Sequence, residues 1–237
     1  MNDDRLRVHG SRDQMAEAVA HLVAEAVREA CRARGRAGLV LSGGSTPVPV
    51  YERLAAMTLP WQEVTLTLAD ERRVPPDHAA SNEGLIRRTL HRGPAAAARF
   101  IGLETPGADA AQAERAARER LAVFPWPADI VLLGMGEDGH TASLFPGAAA
   151  LARALAPPAG ERAIVLVPDP LPPDAPFPRL TLTLPALLDA RRILLLLAGE
   201  KKRAVLAQAL EDDDMTKMPV RTILRQSHVP VEIHWAP

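Results

Sequence analysis

Seven histidines occur in the chain. One of them, His140, stands in the run Gly134-Met135-Gly136-Glu137-Asp138-Gly139-His140-Thr141-Ala142-Ser143, directly after the aliphatic stretch Ile130-Val131-Leu132-Leu133. A histidine on a glycine-rich turn at the end of a buried strand can act as a general base near neutral pH. Asp138, two residues earlier, is close enough to orient it. Gly43-Gly44-Ser45-Thr46 lies between the apolar stretch Gly38-Leu39-Val40-Leu41 and a helix start. Glycines let the backbone approach an anion, and the free N–H groups of a helix start favour phosphate. The run is neither a Walker loop nor Gly-x-Gly-x-x-Gly, which disfavours a dinucleotide. Asp70-Glu71-Arg72 reads as a loop after a strand, with a carboxylate and a guanidinium for sugar hydroxyls and an anion. Pro178-Arg179-Leu180-Thr181 and Gly199-Glu200-Lys201-Lys202 each set a cation beside a strand. Taken singly, each run has an ordinary alternative: a capped turn, a surface ion pair, a solvated cation.

Other chemistries are excluded by residue type. The single cysteine, Cys31, rules out an intramolecular disulfide and a cysteine-rich zinc site, and it fits a reducing, cytoplasmic setting. No His-Glu-x-x-His pair and no second histidine near His140 point to a metal. Neither Ser45 nor Ser143 sits in a Gly-x-Ser-x-Gly elbow, so a serine nucleophile is not expected. Lys+Arg 28 against Asp+Glu 29 leaves no basic field for nucleic acid. The longest aliphatic run, Ile193 to Ala198, is far short of the ~20 residues of a membrane span. Met1-Asn2-Asp3-Asp4 is acidic and polar, unlike a signal peptide.

The elements that must hold these residues alternate. Aromatics make up 3% of the chain, so the core is aliphatic, as in a parallel sheet buried on both faces. Ser11-Arg12-Asp13-Gln14 reads as a capping box opening a long helix, with Gly35 as its stop. Pro47, after Thr46 as N-cap, opens a second helix through Leu54. Strands are expected at 38–41, 64–68, 100–103, 130–133, 164–167, 180–184 and 193–197. A final edge strand is expected at Val231 to Trp235. Helices are expected at 82–90, 108–121 and 199–210, with a helical turn after Pro185. Pro168 to Pro178 reads as a surface loop beside the site and the place for a lid. Glu211 to Asp214 reads as a solvated helix end. Trp61, Trp126 and Trp235 read as packing anchors. The expectation is a single-domain α/β fold over 1–237, a mostly parallel Rossmann-like sheet flanked by helices. In such sheets ligands bind beyond the carboxyl ends of the strands, where the polar runs fall.

Together these blocks resemble the 6-phosphogluconolactonase family, over roughly residues 10 to 235. The resemblance is carried by Leu41-Ser42-Gly43-Gly44-Ser45-Thr46-Pro47, by Asp70-Glu71-Arg72-Arg73-Val74-Pro75 with Ser81-Asn82, and by Gly134 to Pro146. Arg179 and Lys202 follow in their expected order, Lys202 rather than Lys201 matching the Gly-x-x-Lys spacing. The resemblance implies hydrolysis of 6-phospho-D-glucono-1,5-lactone, with no cofactor and no metal. It implies His140 as base and Asp138, Asp70 and Arg72 as its catalytic company. It also implies that the phosphate lies between Gly43, Gly44, Ser45, Thr46, Arg179 and Lys202. The expected partner is a small sugar-phosphate lactone, with no nucleic acid and no membrane; monomer and homodimer are equally compatible with the sequence. One alternative is the related glucosamine-6-phosphate deaminase. Those enzymes carry Phe-Asn-Glu-Pro where this chain has Ser143-Leu144-Phe145-Pro146, and Asp-Glu-Tyr where it has Asp70-Glu71-Arg72. Another is a non-catalytic sugar-phosphate-binding protein, which should have lost one of the chemical residues.

Overall fold

The computed structural model describes residues 4–173 and 175–237. Met1 to Asp3, and Asp174 within the proline-rich loop, lie outside the described residues. In chain order the elements are β1 (Leu6–Val8), α1 (Arg12–Arg34), β2 (Ala37–Leu41), α2 (Val48–Ala56), β3 (Val64–Leu68), β4 (Asp70–Arg72), α3 (Asn82–Thr89), β5 (Arg99–Ile101) and α4 (Ala110–Leu121). They continue with β6 (Ile130–Leu133), α5 (Leu151–Leu155), β7 (Ala163–Leu166), β8 (Arg179–Leu182), α6 (Leu184–Leu188), β9 (Ile193–Ala198), α7 (Glu200–Glu211), α8 (Arg221–Arg225) and β10 (Val231–Ala236).

Seven strands form one sheet in the order β1-β10-β9-β6-β2-β3-β5, and every pairing in it is parallel. The central strands β2 and β6 are buried along their whole length, as aliphatic strands covered on both faces must be. Parallel pairing aims their carboxyl ends at one edge. The turns after β2, β3, β6 and β9 therefore meet there, and these turns hold the polar runs. One continuous apolar cluster runs from α1 to β10.

Ser11 caps α1 by accepting the Gln14 N–H, and Gly35 closes it in a left-handed conformation (φ 67°). The reciprocal half of a capping box is seen instead at α4, between Asp109 and Gln112.

Several expectations need correction. Thr46 is not the cap of α2: Pro47 occupies that position and no side chain caps the helix. Val48 N–H turns back to Ser45 C=O (3.3 Å), so Thr46 sits inside a tight turn and faces the cavity. Asp70-Glu71-Arg72 is not a loop but the strand β4, paired antiparallel with β8, which pairs in turn with β7. This second sheet of three strands went unforeseen because three consecutive charged residues carry no apolar signal. β10 is not an edge strand: β1 adds outside it, a strand too short to register by pattern. The short helices α5 and α8 were likewise not expected.

Candidate active site

A cavity of about 370 Å³ opens at the carboxyl edge of the large sheet. Gly43, Gly44, Ser45 and Thr46 line it from the turn after β2, and Asp70 and Arg72 from β4. His140 lines it from the turn after β6, Arg179 from β8, and Lys202 from the first turn of α7. Asp138 is not in the wall but touches His140. Lys201, the neighbour of Lys202, does not reach the cavity. Pro172 and Ala175 of the proline-rich loop form part of the wall.

The His140 turn is shaped by glycines. Gly136 N–H donates to His140 C=O (2.8 Å) and Gly139 N–H to Gly136 C=O (3.2 Å). A Cβ at Gly136 would stand 2.0 Å from His140 Nδ1 and 2.3 Å from Asp138 Oδ1, so a side chain there would break the pair. Asp138 Oδ1 lies 2.6 Å from His140 Nδ1 and also accepts the His140 backbone N–H. Burial works against the charge of Asp138, yet the bonds and charge of His140 outweigh it and hold the carboxyl below its ordinary value. A carboxylate on Nδ1 favours the proton there and leaves the Nε2 lone pair able to accept one. The Phe145 ring packs against the imidazole at 4.2 Å between centroids. Ala142, also in the wall, adopts a positive φ (48°), a strained conformation for a residue with a Cβ.

Positive charge converges on the same space. Antiparallel register sets Arg72 directly opposite Arg179. Like charges facing each other across strands repel. Burial, and then the charge of Arg72, lowers the Arg179 pKa. Arg179 is 3% exposed. Its Nη atoms donate to the backbone carbonyls of Phe177 and Ala175, while Arg72 donates to Ala80 C=O. None of Arg72, Arg179 or Lys202 has a carboxylate within ion-pair distance among the described residues. Burial also lowers the Lys202 pKa, against the pull of Glu137 and Asp138. Three cations lining one cavity, with no carboxylate partner among the described residues, are placed where an anion could compensate them. The turn after β2 completes the cradle, with Gly44 at φ 86°.

The two carboxylates have different partners. Asp138 belongs to His140. Asp70, buried in the cavity wall, accepts the Ser143 hydroxyl and, at 3.5 Å, the Asn82 amide. Ser143 N–H in turn donates to Thr181 on β8 (3.2 Å). Ser143 is therefore a fixed link between the His140 turn and β4. Asn82, in the cavity wall, was quoted in the sequence only as part of a motif; between Ser81 and Glu83 it looks like any polar helix start, which gave no sign of its placement. No group of three or more His, Cys, Asp or Glu among the described residues could hold a metal ion.

A family model described as glucosamine-6-phosphate isomerases/6-phosphogluconolactonase matches residues 10–235. A 6-phosphogluconolactonase of Pseudomonas aeruginosa is 44% identical over 232 residues, covering 98% of this chain and 94% of that one. One from Caulobacter vibrioides is 43% identical, covering 98% and 97%. The crystal structure of a 6-phosphogluconolactonase from Shewanella baltica superposes with a TM-score of 0.92 at 40% identity, covering 98% of this chain and 97% of that one. A monomeric glucosamine-6-phosphate deaminase shares the fold, at a TM-score of 0.77 and 20% identity. With the family model spanning almost its whole length, the chain belongs to the glucosamine-6-phosphate isomerase/6-phosphogluconolactonase family.

Proposed function

We propose that the chain hydrolyses 6-phospho-D-glucono-1,5-lactone to 6-phospho-D-gluconate, the second step of the oxidative pentose phosphate pathway. The observation that carries this reading is one cavity lined by His140, whose ring Asp138 holds from outside the wall, and by Arg72, Arg179 and Lys202, cations with no carboxylate at ion-pair distance among the described residues. The high identity to lactonases over nearly the full length supports it.

In this reading the phosphate sits on the turn Gly43 to Thr46 with Arg179 and Lys202, and the lactone carbonyl reaches toward His140. His140 Nε2 takes a proton from water as the water oxygen bonds to C1. The tetrahedral oxyanion is stabilised by Arg72 or by backbone N–H groups of the His140 turn. As the C1–ring oxygen bond breaks, the imidazolium returns the proton to that oxygen. Asp138 holds the ring and offsets its charge throughout. Asp70, tied by Ser143 and Asn82, is placed to accept sugar hydroxyls. General acid–base help of ~10²–10⁴-fold suffices for so reactive an ester.

The deaminase reading loses support at one position. Where those enzymes carry the glutamate of Phe-Asn-Glu-Pro, this chain has Phe145, whose ring covers the imidazole. No carboxylate completes a relay there. The test is direct. Purified chain is assayed on the phosphorylated lactone, on unphosphorylated gluconolactone and on glucosamine 6-phosphate, with spontaneous lactone hydrolysis subtracted. The expected outcome is turnover of the first, poor turnover of the second and none of the third, all unchanged after prolonged EDTA treatment. Deamination, or loss of turnover on chelation with recovery on a divalent ion, overturns the reading.

A further inference from the structure

Glu71 lies between two residues of the cavity wall and is not itself in that wall. Strand alternation turns Asp70 and Arg72 toward the cavity and Glu71 to the opposite face of β4. There its side chain is buried, with 1% of the residue exposed. Each carboxylate oxygen takes two donors. Oε1 accepts Arg72 N–H (2.6 Å) and Asn82 N–H (2.8 Å). Oε2 accepts the Ser81 hydroxyl (3.0 Å) and Glu83 N–H (2.7 Å). Two of these donors are the first N–H groups of α3, where the helix dipole favours a carboxylate. No cation forms an ion pair with Glu71 among the described residues; backbone dipoles and one hydroxyl hold it by hydrogen bonds, and the charge of Arg179 acts on it from beyond contact distance.

Asn82, the first residue of α3 and 2% exposed, relays this hold. Its Nδ2 donates to Asp70 C=O (2.9 Å). Its Oδ1 has no hydrogen-bond partner among the described residues. That oxygen instead packs against Gly43, so closely that a Cβ on Gly43 would stand 1.8 Å from it. A buried carbonyl oxygen left without a donor is costly. Here it marks the place where the start of α3 sets the position of the turn after β2. The chain of contacts runs from Glu71 through Asn82 to Gly43, across three elements.

We propose that Glu71 is a positioning residue for the anion-binding turn: without touching substrate, it fixes the start of α3 so that Asn82 sets where Gly43 and Gly44 stand relative to Asp70. This rests on the reading of Gly43 to Thr46 as the phosphate turn. Burial pushes the Glu71 carboxyl up to about 7 against the pull of its four donors. A neutral side chain there accepts fewer hydrogen bonds and lets the brace slacken.

The experiment compares wild type, Glu71→Gln, Asn82→Ala and the double variant. Each is assayed for kcat and KM on the phosphorylated lactone and for competitive inhibition by inorganic phosphate, at a temperature well below its Tm. Glu71→Gln and Asn82→Ala are expected to raise KM and the phosphate Ki at least fivefold, with kcat within about threefold of wild type. Residues that act through one another are not additive, so the double variant should match Asn82→Ala alone. Asn82→Ala keeps the backbone donors to Glu71 and carries the test by itself if Glu71→Gln does not fold. Phosphate that competes in wild type but with unchanged Ki in Asn82→Ala, or effects that multiply in the double variant, overturns the brace alone. Phosphate that fails to compete in wild type overturns the phosphate-turn reading and the brace with it.

Discussion

That His140 lies at the cavity was legible because glycine spacing and strand position mark a turn at the carboxyl edge of the sheet without any three-dimensional knowledge. Which carboxylate served which partner was not legible. Asp138 and Asp70 both stand beside the expected chemistry, and only the fold sends one to His140 and the other to Ser143. If His140 is the base, His140→Ala lowers kcat by ~10²–10⁴-fold with a smaller effect on KM. Asp138→Asn removes a charge-assisted hydrogen bond of ~1.5–3 kcal/mol from the imidazolium, a loss of roughly 10–100-fold in kcat. Stopped assays corrected for spontaneous hydrolysis check both, and a His140→Ala rate within about threefold of wild type would place the base elsewhere. The cations follow a separate logic. Arg179→Ala and Lys202→Ala should each cost roughly 10–100-fold in kcat/KM on the phosphorylated lactone. On gluconolactone they should cost little, since it has no phosphate to lose. Lys201→Ala, outside the cavity, should be silent on both. Equal losses on the two lactones would mean that these cations serve the reaction centre or the fold.

Elements differ in how plainly they announce themselves. The helices α1 and α4 and the strands β2, β3, β6 and β9 carry long periodic or aliphatic runs, and the structure has them within a few residues of expectation. The three-stranded sheet does not: β4 is Asp-Glu-Arg, and only pairing with β8 makes it a strand. Glu71 was missed for the same reason, because its role appears only when strand alternation turns it away from Asp70 and Arg72. That sheet has an energetic signature. Arg72 facing Arg179 is a repulsion that a bound anion relieves. Phosphate or 6-phosphogluconate should therefore stabilise the fold. At ten times Kd the linkage is about 1.4 kcal/mol, or roughly 3–6 °C in Tm for a chain of this size. Thermal melts with and without phosphate at constant ionic strength test this. Arg179→Ala should lose most of the shift, and a shift retained in full would show that the anion binds away from this strand pair.

Over the whole molecule, two buried groups on different sheets bend the response of stability to pH in opposite senses. His234, on β10 and 4% exposed, hydrogen-bonds through Nδ1 to His9 Nε2 (3.0 Å) and stacks on its ring at 5.3 Å. Its nearest carboxylate oxygen, Glu232 Oε2, is 3.9 Å from Nε2. Burial, and then the charges of His9 and Arg7, pulls its pKa down from 6.5 to about 4. The unfolded chain takes up a proton below pH 6.5 that the folded imidazole refuses. Stability is thus lost as pH falls from 6.5 toward 4, by about 3 kcal/mol at most. Glu71 runs the other way. Its folded pKa of about 7 lies above the ordinary 4.5, so its contribution is complete below about 4.5 and is lost as pH rises through 7. Between these limits the two slopes oppose each other, and the wild-type curve of Tm against pH conceals both. Single variants separate them. His234→Asn keeps a polar partner for His9 but does not titrate, so its Tm should gain on wild type by a few degrees as pH falls from 7 to 5. Glu71→Gln is neutral throughout, so its Tm should fall further behind wild type over the same range. Differential scanning calorimetry across that range gives both differences. Curves for the two variants that stay parallel to wild type would mean that neither group carries the pH dependence, and that exposed carboxylates carry it instead.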